Sequence, residues 1–460
     1  MGKTVLLISP NPETSPSSVY PLALPRLAAY AEAVGHYATQ FDVLVEGVDA
    51  LPETLRRINA SLVGLSIRNI DSTNFKDPRS YVGFYRQIMR IIHQYSSAPV
   101  VLGGSGFSLF PAEIMSLLGA EMGVVGPGEE ALAALLSGNR DLASVPGLVT
   151  PEHPCPAPRP TAASLSVACQ HDAAILSYYW KHSRMIGLQT KRGCPRSCSY
   201  CTYPLIEGSA MQWAAPTEIV EEIRKLLSVG VRYIFFTDSV YNIEAEREIL
   251  LAEEICRQDV AVSWGAYFAP VGMTKEYLSI LKRSGLTHLE FGTDSLNDAM
   301  LASYNKGFTV EDVTRTSKLC AELQLYQLHF LLFGGPGETV ETVAESIRNA
   351  RGLKQAVFFP FLGVRVYPGT PLHKAHWQGT LQAQESLLQP AFYFSPCIDR
   401  QTLWNLIADG NGFDGNWVLP SRHKEFERAM QRLRQRGTTG PLWECFEQLT
   451  GGQDHVAGSS

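Results

Sequence analysis

Six times between residues 185 and 368 a run of apolar residues is followed by an amphipathic stretch, and this repetition limits the chain's folds more than any other feature. The runs are "MIGLQTK" (185–191), "VRYIFFT" (231–237), "VAVSWGAYF" (260–268), "THLEFGTD" (287–294), "YQLHFLLF" (326–333) and "FFPFLGVRVYP" (358–368). Strands that are apolar on both faces need cover on both, which a parallel sheet obtains from the helices that connect it. The intervening stretches supply that cover. "PTEIVEEIRKLLSVG" gathers Ile219, Val220, Ile223, Leu226 and Leu227 on one side and stops at Gly230. Six such units predict a partial (β/α)6 TIM barrel over residues 184–384, with its chemistry at the strand C-terminal ends.

An earlier series has the same rhythm. "TVLLIS" (4–9), "LVGLSI" (62–67), "PVVLGG" (99–104) and "MGVVG" (122–126) read as buried strands, and "FDVLVEG" (41–47) as a further candidate. With helices expected near 23–34 and 81–95, residues 1–140 read as a doubly wound, Rossmann-like sheet. Residues 141–183, with "VPGLVTPEHPCPAPRPTAASLS", are rich in Pro, Ala and Ser and read as a linker. Residues 385–460 read as a helical, aromatic extension whose polar end, "GGQDHVAGSS", is expected to be disordered.

Composition excludes some classes of partner. The net charge is 39 − 45 = −6 and no long basic run occurs, so nucleic acid is not an expected partner. No apolar stretch reaches the ~18 residues of a membrane span, and "MGKTVLLISPNP" has neither the length nor the build of a signal peptide. Position 6 is Leu where a myristoylation signal has Ser or Thr. A cytoplasmic chain with reduced thiols is expected, and nine cysteines, an odd number, agree with that. Six of them stand alone (Cys155, Cys169, Cys256, Cys320, Cys397, Cys445) and read mostly as small buried hydrophobes.

The other three are clustered. In "KRGCPRSCSYCTYP", Cys194, Cys198 and Cys201 lie on the loop after the first barrel strand. Three thiolates can hold a [4Fe–4S] cube and leave one iron open, whereas four-cysteine sites are closed. The bland alternative is a structural zinc site completed by a distant residue such as His182 or Cys169.

The Cys-x3-Cys-x2-Cys spacing, with Tyr200 just before the third cysteine, resembles the radical S-adenosylmethionine (radical SAM) superfamily. "FFTDS" (235–239), "FGTDSLND" (291–298), "FGGPGET" (333–339) and "VRVYPGTPL" (364–372) fall in the family's order along the barrel. The resemblance implies that Cys194, Cys198 and Cys201 hold the cluster. It implies SAM contacts from Tyr200, Thr237, Asp238, Ser239, Asp294, Ser295, Arg365 and Tyr367, with Asp294 and Ser295 at the ribose. Asp294 stands where the family usually has Glu. For Glu338 the simpler role is to complement the dipole at a helix start.

The first domain, with "LPRLAAYAEAVGH" and the later "GG…GEE", resembles the cobalamin-binding domain that precedes the barrel in one large subfamily. Ligands of open sheets bind outside the strand C-termini. The implied cobalamin residues are therefore Ser9, Pro10, Asn11, Arg68, Asn69, Gly103, Gly104, Ser105, Gly106, Gly126, Gly128 and Glu129. The Asp-x-His-x-x-Gly motif that supplies a histidine to cobalt in many cobalamin proteins is absent; His36 and His93 both lie in helical contexts.

The function this implies is cleavage of SAM to a 5′-deoxyadenosyl radical in a cobalamin-dependent methyltransferase. It would act on an unactivated carbon of a lipid or natural-product intermediate, with a low-potential electron donor such as flavodoxin or ferredoxin. Two alternatives remain open at this point: a radical SAM enzyme of the same architecture that makes C–C bonds or rearranges without methyl transfer, and a non-catalytic metal-binding scaffold. Trp264, Tyr267 and Phe268, with "AFYFSP" (391–396), are candidates for an apolar substrate pocket, against the simpler role of packing.

Overall fold

The computed structural model describes residues 2–138, 141–157, 165–377, 386–408 and 416–445. The expected disordered end, "GGQDHVAGSS", lies outside them.

Two six-stranded sheets organise the chain. The first runs in the order β2-β1-β3-β4-β5-β6, from β1 (Thr4–Ser9), β2 (Tyr37–Asp42), β3 (Leu62–Ser66), β4 (Val100–Gly103), β5 (Met122–Val124) and β6 (Leu148–Val149). All neighbours are parallel except the antiparallel pair β5–β6. One face packs on the helices Ala23–Ala33 and Glu129–Ser137 through Leu24, Ala28, Ala131 and Leu132. The other packs on Leu51–Ile58, Val82–Tyr95 and Pro111–Leu118 through Leu55, Ile88, Met89 and Ile114. The strand expected at 41–47 sits earlier. Its polar "YATQ" pairs at the sheet edge, and the Asp42 side chain accepts from Leu44 N to turn the chain into a short helix, Val43–Glu46.

The second sheet is ordered β14-β13-β12-β11-β10-β7 and is parallel throughout. Its strands are β7 (Ile186–Leu188), β10 (Tyr233–Phe236), β11 (Ser263–Phe268), β12 (Leu286–Asp294), β13 (Tyr326–Phe333) and β14 (Ala356–Leu362). The strands follow chain order with β7 and β14 at the two edges, so the barrel is partial. Two-residue strands complete the set: β8 (Lys191–Arg192) pairs β9 (Gln212–Trp213), and β15 (Val364–Arg365) pairs β16 (Phe392–Tyr393).

Period-2 alternation decides which side chains enter the barrel. Ile234, Phe236, Trp264, Ala266 and Phe268 pack outward against the helices in one core. Phe235, Tyr267 and Phe330 face the other way, with ring centroids 4.9 Å apart for the first pair and 6.3 Å for the second. Of the three pocket candidates on this strand, only Tyr267 is therefore on the inner face. The "AFYFSP" aromatics bridge to the first domain instead: Phe394 meets Phe75 at 4.6 Å and Phe392 meets it at 5.7 Å.

The C-terminal extension covers one end of the barrel. Phe426 and Met430 of the helix His423–Gln435, with Leu442 and Trp443, pack on Leu328 and Val357. Trp443 Nε1 donates to Glu290 Oε1 at 2.9 Å, and burial pushes that carboxyl up to about 7. Among the described residues no helix is long and apolar enough to cross a membrane. Of the single cysteines, Cys169 and Cys320 are buried but Cys155, Cys256 and Cys397 are exposed, so burial does not account for them as a group.

Arg365 joins the two sheets' domains. Its Nε and Nη2 both donate to Asp71 Oδ2, at 3.0 and 2.8 Å, and its remaining donors meet Val366 O and Leu387 O. Both partners are buried, so removing the guanidinium strands a carboxylate without a counter-charge. Arg365→Ala is expected to cost about 3–5 kcal/mol, seen as a lower midpoint in thermal unfolding.

Candidate active site

The cluster loop starts from a fixed anchor. The Asp238 carboxylate is fully buried after β10 and takes bonds from Thr190 N (2.7 Å), Thr190 Oγ1 (2.6 Å), Lys191 N (3.1 Å) and Lys191 Nζ (3.3 Å). Ser239 Oγ donates to Gly193 O at 2.7 Å. Both side chains hold the end of β7 and the turn before Cys194. The Gly193 turn itself requires glycine: φ is +100° and a Cβ would stand 2.3 Å from Ala210 O.

Beyond this turn the three thiols converge. Each is free of disulfides, and burial above all, then Cys198 and Cys194, push the Cys201 thiol up to about 11. Cys198 is also raised, mainly by burial and then by Asp294 and Cys194, against Lys306 and Arg196. Burial and neighbouring thiols raise both Cys198 and Cys201, and a cation beside them would offset that. Iron supplies one, so the trio fits a cluster held by three thiolates.

Next to them sits a pair that the sequence only half revealed. Asp294, at φ +63°, accepts from Lys306 Nζ at 2.6 Å and from the Tyr200 hydroxyl. Burial opposes the Lys306 charge, but Asp294 and Cys198 outweigh it, and the ammonium is held above its ordinary value. With one N–H on Asp294 and another 3.4 Å from the Tyr200 hydroxyl, Lys306 has a third donor to offer a carboxylate. Nothing in "SYNKGF" singles it out; only the return of the chain after β12 brings it to Cys198. Ser295 faces away, bonding Ser346 Oγ at 3.1 Å beneath the helix Val340–Ala350. Glu338 is buried, accepts from Gly334 N and Thr342 Oγ1, and is pushed up to about 7 by burial.

A cavity of about 520 Å³ lies between the C-terminal edge of the first sheet and the cluster loop. All the residues expected at cobalamin line it except Pro10: Ser9 and Asn11 at the end of β1, Arg68 and Asn69 after β3, Gly103–Gly106 at the end of β4, and Gly126, Gly128 and Glu129 after β5. From the barrel come Gln189, Arg192, Tyr203, Glu207 and Thr237. Of the residues expected at SAM, Tyr200 and Asp294 meet beside the cysteines. Thr237 and Tyr367 line the cavity, and Asp238, Ser239, Ser295 and Arg365 are engaged elsewhere. Gly104 shows why this edge is open: at φ +98° a Cβ would meet Ile67 O at 2.4 Å, so the turn lies flat against the neighbouring loop. Asn11 Oδ1 is buried and without a protein partner, an acceptor ready for an amide of a bound group. The glycine turns and this orphaned acceptor fit a large, flat, amide-bearing corrin.

Charge ties the cavity walls together. Glu129 takes Arg192 Nη2 at 2.8 Å and lies 3.7 Å from Arg26, which in turn donates to Gln189 Oε1 at 2.6 Å. Gln189 Nε2 and Gly193 N donate to Glu207. Sequence reasoning missed Arg26, Gln189, Arg192 and Glu207, since each is ordinary in its own segment.

Comparison with known proteins agrees with these two halves. Residues 188–350 match the family model "Radical SAM superfamily" and residues 11–136 match "B12 binding domain". A tryptophan 2-C-methyltransferase of Streptomyces laurentii is 27% identical over 446 residues, covering 81% of this chain and 74% of that one. The solved radical S-adenosylmethionine methyltransferase TsrM of Kitasatospora setae, with tryptophan and a SAM analogue bound, superposes with a TM-score of 0.86 at 26% identity over 98% of both chains. Another structure of TsrM holds cobalamin and a [4Fe-4S] cluster. The cobalamin-dependent radical enzyme OxsB shares the fold, with a TM-score of 0.72 at 14% identity over 94% of this chain and 71% of its own.

Burial would raise the Glu129 carboxyl, but Arg192 and Arg26 together hold it down at about 2, from 4.5. A depressed carboxylate stabilises the fold fully above its unfolded value and loses that contribution as pH falls through the folded one. Glu129→Gln should therefore unfold more easily than wild type at pH 7, by about 3 kcal/mol. The gap should close between pH 4.5 and about 2 in denaturant titrations.

Proposed function

From the premise that the chain is a radical SAM enzyme with a B12-binding domain ahead of its barrel, we propose that it is a cobalamin-dependent methyltransferase. Its substrate is a small, apolar, aromatic molecule methylated at an unactivated carbon. The observation that carries this reading is the shared cavity: the glycine turns of the first sheet line it together with Arg192, Thr202 and Tyr203, the residues that flank the three cysteines. Held by the three cysteines, a [4Fe–4S] cluster would supply the electron for cleaving SAM, and cobalamin in the cavity would supply a carrier for the methyl group.

The chain's own residues position and exclude. Cys194, Cys198 and Cys201 hold the cluster, and Asp238 fixes the loop that carries them. Lys306, kept cationic by Asp294, offers a donor for the SAM carboxylate, and Tyr200 orients the pair. Arg68 and Asn69 present polar groups from the opposite wall, while the Arg26–Glu129–Arg192 group closes the wall where the domains meet. Glu207 accepts the Gly193 amide and keeps the turn before the cysteines in place.

The aromatic substrate is supported by the tryptophan in the names of two relatives and by the inner row of Phe235, Tyr267 and Phe330. Tyr203 stands partly exposed in the cavity. A low-potential flavodoxin or ferredoxin is the expected electron source.

The reading is tested by anaerobic purification from cells supplied with hydroxocobalamin, followed by incubation with methyl-deuterated SAM and a panel of indoles and aromatic amino acids. A corrin-to-protein ratio near one and transfer of the labelled methyl to carbon are expected, with Cys198→Ala reducing transfer to background. Corrin-free protein that cleaves SAM without transferring the label would instead favour cyclisation or rearrangement.

A further inference from the structure

A second cluster of ligand-type side chains lies away from this cavity, where the linker crosses between the domains. Cys169, His171 and Glu222 bring one ligand atom each to within 4.8 Å of one another. Cys169 and Glu222 are buried, and His171 is nearly so, with 12% of its side chain exposed. His171 Nε2 lies 2.6 Å from Glu222 Oε1, and its Nδ1 lies 2.7 Å from the Tyr20 hydroxyl.

The backbone that carries the first two is pinned on both sides. Leu165 N bonds Trp213 O, Arg26 Nη2 bonds Ser166 O, Gln170 N bonds Pro25 O, and Gln40 Nε2 bonds Gln170 O. Glu222 projects from the first outer helix of the barrel, Pro216–Ser228. Tyr20 precedes the first helix of the N-terminal domain. The group therefore joins three parts of the chain that are distant in sequence.

We propose that Cys169, His171 and Glu222 form a zinc site that staples the linker to the barrel. Thiolate, imidazole and carboxylate are the donors zinc takes, at bond lengths of about 2.0–2.3 Å. Ligand atoms around a tetrahedral ion then stand roughly 3.3–3.8 Å apart. The His171–Glu222 contact opens by about 1 Å and the thiol swings in from Val167 O, which it now meets at 3.4 Å.

The protons balance. The Cys169 thiol gives up its proton to solvent as its S–Zn bond forms. In the zinc-bound state His171 is an imidazole whose Nε2 lone pair faces the metal and whose Nδ1–H donates to the Tyr20 oxygen, the partner that orients a ligating histidine; any further proton on the ring leaves to solvent. One divalent ion, one thiolate and one carboxylate sum to zero charge, the state that burial penalises least. Lys225, 3.3 Å from Glu222 Oε2, stays half-exposed at the rim, and the fourth position is left to water.

The test is an anaerobic zinc titration of cluster- and cobalamin-loaded enzyme against a chromophoric chelator, for wild type, Cys169→Ala and Glu222→Gln. Glu222→Gln retains an acceptor for His171 and gives up only the charge of its contact with half-exposed Lys225. Wild type is expected to take one more equivalent of zinc than Cys169→Ala, which should bind there on the order of 100-fold more weakly or not at all. Zinc should raise the unfolding temperature of wild type alone, and cobalt in its place should give a thiolate charge-transfer absorption lost in Cys169→Ala. Equal uptake by all three proteins, or uptake that releases cluster iron, would overturn the proposal, as would no uptake by wild type.

Discussion

The Asp238 carboxylate is the fixed point on which the site depends. It sits in the barrel wall with no solvent contact and is satisfied by two backbone amides, a hydroxyl and an ammonium of the adjoining segment. A buried carboxylate is tolerable only when its lone pairs are filled, so the end of β7 has little freedom to move while it remains paired. The three cysteines begin three residues beyond Lys191, and their loop inherits that rigidity. Held thiols matter here because the trio repels itself when ionised, and only a preset geometry lets an iron–sulfur cube collect all three.

Buried polar contacts set how the domains meet, alongside the aromatic contacts of Phe75 with Phe392 and Phe394. Arg365 reaches Asp71, and Glu129 sits between Arg26 and Arg192. Such buried pairs are a weak source of stability against an apolar alternative, yet a costly thing to break. They fix a relative placement in which the loops of one sheet face the loops of the other. A large ligand bound by the first sheet is then presented to the barrel mouth without any element having to close over it.

Alternation and glycine punctuation carried most of the fold. The barrel strands, their parallel order and the outer helices follow from apolar runs that cannot be left uncovered, and the turns after β1, β3, β4 and β5, recognisable in the sequence as one sheet edge, line the cavity. The polar edge strand β2 was misplaced, because an edge strand carries little of the apolar signal that marks a central one. Trp264 and Phe268 were weighed as pocket candidates against packing, and the pleat gives them the packing role; Tyr267, between them, faces in.

What the sequence determined by itself was chemistry that is local: three thiols within one loop, glycines where a backbone must lie flat, and the period that makes each strand and helix. What the tertiary structure decided was every pairing between distant segments. Lys306 meets Asp294, Arg365 meets Asp71, Glu129 meets Arg192, and Glu222 meets His171. Local pattern fixes which way a side chain points from its own element. The partner it finds depends on how elements pack, and charged side chains in separate segments leave no periodic trace of that in the sequence.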